Sequence, residues 1–135
     1  MKENEKILEF TDALHNASKY AAEQNETVSF DIDIDNNTCM MEIERKETSE
    51  PDEENVYEPM PVQTRLDFMM ARNASMEIAG GKISFLFFPD GTKEFGMISA
   101  IDPDTQEEYT IFMNPYLKEP EILRGVIDFN EMYSL

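Results

Sequence analysis

The sequence contains little cysteine, tryptophan, histidine and basic charge, and each shortage excludes a class of function. Cys39 is the single cysteine, so no disulfide can form within the chain, and a small buried side chain is the role expected of it. The 29 acidic residues outnumber the 11 basic ones and give a formal charge of −18. Because lysine and arginine supply most of the affinity for nucleic acid, we expect no DNA or RNA partner.

Long apolar runs are also missing. No stretch approaches the roughly 18 consecutive apolar residues of a membrane span. The first residues, Met-Lys-Glu-Asn-Glu, have no signal-peptide core. Hydrophobic residues make up 41% of the 135 residues, which is enough for one modest core. The sequence as given therefore predicts one soluble domain over residues 1–135.

Near the start of the chain, apolar residues recur every three or four positions, which is the spacing of an amphipathic helix. Lys6, Glu9, Asp12 and Lys19 fall on other sides of that helix. We predict a helix within residues 1–25 whose narrow apolar stripe packs on a sheet. The stripe consists of Ile7, Phe10, Leu14, Ala17 and Ala21.

From about residue 26 the period of the apolar pattern changes to two, which indicates β-strands. Val28, Phe30 and Ile32 alternate with polar residues, and the Asp-Asn-Asn sequence at 35–37 predicts a turn into a second alternating stretch. A β-hairpin is therefore expected. Further strands are predicted around residues 66–70, 76–78, 83–87, 97–101, 109–113 and 126–129.

Two segments depart from this alternation. Residues 46–63 are acidic, contain three prolines and show neither period, so we predict an exposed loop there. Residues 83–88 are apolar on both faces, which predicts a central strand covered on each side. One helix followed by short strands indicates an α+β fold. The N-terminal amphipathic helix packs on antiparallel β-sheets, in a sandwich-like, β-rich body over residues 26–135.

The chemical motif with the most complete spacing is the run of acids in the predicted hairpin. Asp31, Asp33, Asp35 and Glu42 fall at positions one, three, five and twelve of a calcium-binding EF-hand loop. Asn36 occupies the sixth position, where that loop needs glycine, and no second helix is predicted after it. These four acids are the candidate calcium ligands, and the solvent face of a hairpin is the alternative explanation for them.

Catalytic motifs are scarce. His15 is the only histidine, with no serine or cysteine arranged as a nucleophile and no second histidine for a zinc site. Acidic pairs such as Asp102 with Asp104, or Glu107 with Glu108, match a glycosidase only in composition, because that chemistry needs two carboxylates at a fixed separation. We therefore assign no catalytic residues and expect a non-enzymatic protein. A cleft with convergent carboxylates would indicate an enzyme instead.

Three segments together resemble the minor pseudopilin H and FimT family. Residues 10–34 run from the predicted helix into the first strand. Residues 83–92 read Ile-Ser-Phe-Leu-Phe-Phe-Pro-Asp-Gly-Thr, which resembles the family's I-x-F-x-P-D-G-(S/T) phrase. Residues 109–115 read Tyr-Thr-Ile-Phe-Met-Asn-Pro, which resembles its Y-x-I-x-V-N-P strand. The family's hydrophobic half-helix, with its prepilin-peptidase site, does not precede Lys2 in this sequence.

The resemblance implies a non-enzymatic subunit of a bacterial type II secretion pseudopilus or of a related type IV pilus-like fibre. Such a subunit is held in the inner membrane by the missing apolar half-helix, with this domain in the periplasm. The helix would carry one stripe on its own domain and another on neighbouring subunits. Other pseudopilins and secreted protein cargo are the implied partners. The candidate partner contacts are Ile7, Phe10 and Leu14.

A secreted or periplasmic module that binds calcium or another ligand is the alternative function. Met69, Met70 and the phenylalanine-rich residues 85–88 could line a ligand groove, because methionine-rich surfaces adapt to different partners. Packing in the core would account for the same residues. A calcium-dependent rise in melting temperature would favour this alternative, because a ligand that binds only the folded state stabilises it.

Overall fold

The computed structural model describes residues 4–44 and 59–125. In these two ranges the chain forms one helix followed by nine short strands. The elements are α1 (Glu5–Gln24), β1 (Val28–Asp33), β2 (Thr38–Ile43), β3 (Met60–Val62), β4 (Asp67–Asn73), β5 (Glu77–Ile78), β6 (Lys82–Phe87), β7 (Gly96–Ile101), β8 (Glu108–Met113) and β9 (Glu121–Arg124).

The strands form two antiparallel sheets. Sheet A has the order β3-β2-β1-β6, and sheet B has the order β5-β4-β7-β8-β9. Helix α1 and both sheets contribute to one continuous cluster of buried apolar side chains. The predicted α+β class, with an N-terminal helix on antiparallel sheets, is confirmed.

Helix α1 begins and ends at asparagines. The Asn4 side chain accepts hydrogen bonds from the backbone N–H groups of Lys6 and Ile7, which have no partner within the helix. Asn25 ends the helix in the left-handed conformation, with φ of 53°, and its N–H is directed at the last-turn carbonyls. No helix within the described ranges combines the length and apolar character that a transmembrane span requires.

The apolar stripe of α1 faces the protein's own core. The ring of Phe10 lies 5.9 Å from the ring of Phe30 in sheet A and 5.3 Å from that of Phe68 in sheet B, so it joins the two sheets. Ile7, Phe10 and Leu14 are only 2%, 1% and 1% exposed. Their prediction as partner contacts is wrong for this folded domain, because the core already occupies the surface that a partner would need.

The predicted hairpin is confirmed, and its turn also connects the sheets. β1 and β2 pair from Val28 with Ile43 to Asp33 with Thr38. Asn37 adopts the left-handed conformation, with φ of 52°. Its side-chain oxygen accepts a hydrogen bond from the N–H of Phe68 at 2.8 Å, so one turn residue ties sheet A to β4 of sheet B.

The position of β6 differs from the prediction of a central strand. β6 lies at the edge of sheet A, and Leu86 is half-buried on its outer side. The free edge is covered, because the N–H of Leu86 donates to the Glu94 carboxylate and its carbonyl accepts from the Glu94 N–H. The strand buried on both faces is β7, where Gly96 to Ala100 are all buried. Phe85 and Phe87 belong to the core.

Two other predicted boundaries also change. Met60–Val62 falls inside the predicted loop 46–63 but forms β3, whose Pro61 is tolerated because β3 is an edge strand. The last described strand is β9 at Glu121–Arg124, a segment for which no strand is predicted. The predicted strand at 126–129 and the acidic part of the loop at 45–58 lie outside the described residues.

Candidate interaction site

The four carboxylates predicted to bind calcium do not converge. Asp31 and Asp33 lie on the outer face of β1, Asp35 lies in the turn, and Glu42 pairs across the sheet with Ser29. Asp33 accepts hydrogen bonds from Asn36, and Asp35 accepts one from the N–H of Gly81. Among the described residues, no three acidic, histidine or cysteine side chains form a group that could hold a metal ion. Residues 28–33 form a strand where an EF-hand needs a loop, so the predicted ligand set is not assembled.

Asp31 and Glu42 instead form a close pair of acids on sheet A. One oxygen of Asp31 accepts hydrogen bonds from the hydroxyls of Ser29 and Ser84, each at 2.6 Å. Burial and the neighbouring Asp31 carboxylate raise the pKa of Glu42 above its usual range. Two like charges this close weaken the folded state whenever both are ionised.

We expect Glu42→Gln to raise the free energy of unfolding at pH 7 by about 0.5 kcal/mol, because it removes one of two like charges on a sheet face. A carboxyl whose pKa is raised by folding destabilises the fold above that pKa, so the gain should shrink as the pH falls through it. Urea denaturation at pH 7 and at pH 4 measures both effects. The exposed Glu44→Gln is the control, and a less stable Glu42→Gln at pH 7 would contradict the prediction.

The start of α1 is held against the turn between β7 and β8. Asp102 accepts hydrogen bonds from the Asn4 amide and the Lys6 ammonium, both at 2.6 Å, and Lys6 also contacts Asp104 at 2.5 Å. We call these four residues the helix clamp. Asp102 is only 2% exposed, and the bonds from Asn4 and then Lys6 lower its pKa. The acidic pair considered for catalysis is therefore engaged in holding the helix.

A groove of about 560 Å³ runs beside the C-terminal half of α1. Its walls come from three separate parts of the chain: the helix, the turn between β6 and β7, and the loop between β8 and β9. We call it the α1 groove. It is lined by His15, Ser18, Lys19, Ala22, Asp90, Gly91, Thr92, Pro115, Tyr116, Leu117 and Lys118.

Local hydrogen bonds shape both loops of the α1 groove. The Asp90 carboxylate accepts from the N–H of Thr92 at 2.9 Å and from its hydroxyl at 2.6 Å, while Gly91 has a φ of 94° that favours glycine. The Asn114 side chain accepts from the N–H of Tyr116 at 2.9 Å. The Pro-Asp-Gly-Thr and Asn-Pro sequences that carry the family resemblance are thus brought to the same groove.

The α1 groove combines positive charge with exposed apolar surface. Lys19 and Lys118 make no salt bridge with any carboxylate in the part of the chain that the structure describes. Tyr116 is 90% exposed and Leu117 is 45% exposed. His15, predicted as a surface histidine, is half-buried at the groove, with Nδ1 3.5 Å from the Glu119 carboxylate.

Lys93 supports the groove from behind. It is almost completely buried, and its ammonium donates a hydrogen bond to the carbonyl of Leu117. Burial lowers the pKa of Lys93, and the charge of Glu119 opposes that shift. The sequence analysis missed this groove because its lining residues are far apart in the chain. The available signal was the unusual Tyr-Leu-Lys sequence directly after Asn-Pro.

These features define the chain as an α+β domain with one helix on two antiparallel sheets. Comparison with models of protein families, with curated proteins and with solved structures finds no match. The functional interpretation therefore depends on the residues and contacts described above.

Proposed function

We propose that this domain is a non-enzymatic minor pseudopilin of the H or FimT kind, a subunit of a type II secretion pseudopilus or a related pilus-like fibre. The proposal combines the sequence resemblance with the position of α1. In it, an apolar segment on the N-terminal side of Asn4 holds the subunit in the inner membrane. The domain described here then projects into the periplasm.

The observation that carries the proposal is the two-sided character of α1. One stripe is buried in the domain, and the helix clamp joins the start of the helix to sheet B. The opposite stripe stays exposed and is polar apart from one leucine, so neighbouring subunits have a helical surface to contact. The exposed stripe consists of Glu5, Leu8, Asp12, Asn16, Lys19 and Glu23.

Site-directed cross-linking in the cells that produce the protein tests this proposal. Asp12→Cys and Asn16→Cys place thiols on the exposed stripe of α1. Burial raises the pKa of the native Cys39 thiol to about 12, so this residue gives little background reaction. We expect both variants to cross-link to another pseudopilin in the membrane fraction.

Thr105→Cys is the control, because Thr105 is exposed in the turn between β7 and β8, away from the exposed stripe. It should react with a soluble maleimide as fast as the other two thiols but form far fewer cross-links. Recovery of the protein only from the cytosol, or equal cross-linking at all three positions, would refute the pseudopilin assignment.

A further inference from the structure

We infer that the α1 groove binds an acidic peptide segment of a partner protein, one that also carries an apolar or aromatic side chain. The inference rests on the proposed role of this domain as a contact subunit. It concerns the chemistry of one surface and does not depend on the type of fibre in which the subunit works.

The charges of the α1 groove provide the first argument. On a chain with a formal charge of −18, Lys19, Lys118 and His15 surround one opening. Neither lysine has a salt-bridge partner among the described residues. The Asp90 carboxylate is turned into its own loop by Thr92. Carboxylates of a partner would therefore meet two available ammonium groups, which favours attachment of an acidic segment.

The apolar rim provides the second argument. Tyr116 and Leu117 are exposed side by side at the rim, and Ala22 and Pro115 continue the apolar surface. A tyrosine exposed beside a groove is typical of binding surfaces, because it offers a large contact area at a low cost in conformational entropy. An occupant that covers this rim needs an apolar or aromatic side chain beside its acids.

The third argument is that the backbone of the groove is held in place. The hydrogen bond from Lys93 fixes the carbonyl of Leu117, and Asn114 fixes the N–H of Tyr116. On the opposite side, α1 is a regular helix. A preformed groove binds a flexible segment more tightly, because less order has to be created on binding.

A nucleic acid or an anionic membrane would bring extended negative charge against the whole acidic surface of this chain, not only against the groove. A short peptide would meet the two lysines alone. The geometry therefore favours a peptide over either of these larger anionic partners.

Fluorescence anisotropy with three labelled twelve-residue peptides tests this inference on the purified chain. The first peptide alternates pairs of acidic residues with tyrosine and leucine. The second has lysine in place of each acid, and the third has serine in place of each tyrosine and leucine. We expect saturable binding of the first peptide only, with affinity that falls as salt is added.

Three variants locate the binding. Lys19→Gln combined with Lys118→Gln should weaken binding of the first peptide by about tenfold, because two charge contacts are lost. Tyr116→Ser should weaken it by about tenfold through loss of the aromatic contact. Lys82→Gln removes a charge from the exposed end of β6, outside the groove lining, and should leave the affinity unchanged. Circular dichroism checks that each variant is folded.

Absence of saturable binding would overturn the inference. So would equal binding of the serine peptide, or competition by millimolar inorganic phosphate, because each would mean simple attraction of anions. An equal loss of affinity with Lys82→Gln would place the effect outside the groove. Peptide binding by a domain that fails the cross-linking test would retain this inference and reject the pseudopilin assignment, and the reverse combination would do the opposite.

Discussion

Replacement of Phe10 by alanine should lower the free energy of unfolding by about 3 to 5 kcal/mol, the range for loss of a buried phenylalanine. Phe10 is 1% exposed, and its ring contacts Phe30 in sheet A and Phe68 in sheet B. The variant therefore leaves a cavity where the helix and both sheets meet. Urea denaturation followed by circular dichroism measures the loss.

The matched variant Phe10→Leu keeps most of the apolar volume and should cost less than half as much as the alanine variant, since smaller changes of volume are better tolerated. Leu8→Ala changes an exposed position on the same helix and should change stability little. A loss below about 1 kcal/mol for Phe10→Ala would mean that α1 is not packed between the sheets as described.

Replacement of Asp102 by alanine should lower the free energy of unfolding at pH 7 by about 2 to 3 kcal/mol, because the hydrogen bonds from Asn4 and Lys6 lose their buried acceptor. The matched control is Asp104→Ala. Asp104 also contacts Lys6, but its side chain is 78% exposed, and an exposed ion pair adds little stability. A similar loss for the two variants would contradict the assignment of Asp102 as the centre of the helix clamp.

The same contact predicts a pH dependence. The folded protein holds the pKa of Asp102 below its ordinary value, mainly through the Asn4 hydrogen bond. A carboxyl with a lowered pKa stabilises the fold above its unfolded pKa, about 3.9 for aspartate, and this contribution is lost as the pH falls below that value. Between pH 5 and pH 2 the wild type should therefore lose more stability than Asp102→Ala. Parallel curves would refute this role.

Periodicity predicted the elements whose side chains face one core. The three- and four-residue spacing from Ile7 to Ala21 identified α1, and the alternation of Val28, Phe30 and Ile32 identified the first hairpin. Both patterns record which side of an element is buried, and that is a local property of the chain.

The order of strands could not be read in the same way. Residues 83–88 are apolar on both faces, yet β6 lies at an edge, because Glu94 and Asn73 satisfy backbone groups that a neighbouring strand would otherwise pair with. Serine and alanine make β7 less apolar in sequence, although it is the strand buried on both sides. Edge or central position depends on partners distant in sequence.

The candidate site was harder still to predict. The acids at 31–42 match a calcium loop in spacing, but pairing of β1 with β2 directs them along a strand and into a turn. The lysines of the α1 groove, Lys19 and Lys118, are 99 positions apart in the sequence. Only the fold brings them to one opening, so local spacing held no information about this groove.

The cap at Asn4 determines how force would enter this domain. Its backbone is extended, with φ of −68° and ψ of 122°, so chain on its N-terminal side leaves the helix axis at an angle. Tension applied there reaches Asn4 and Lys6 before it reaches the rest of α1, and their bonds to Asp102 carry it into the turn between β7 and β8. Under such a pull Asn4 acts as a joint, and sheet B bears the load together with the helix.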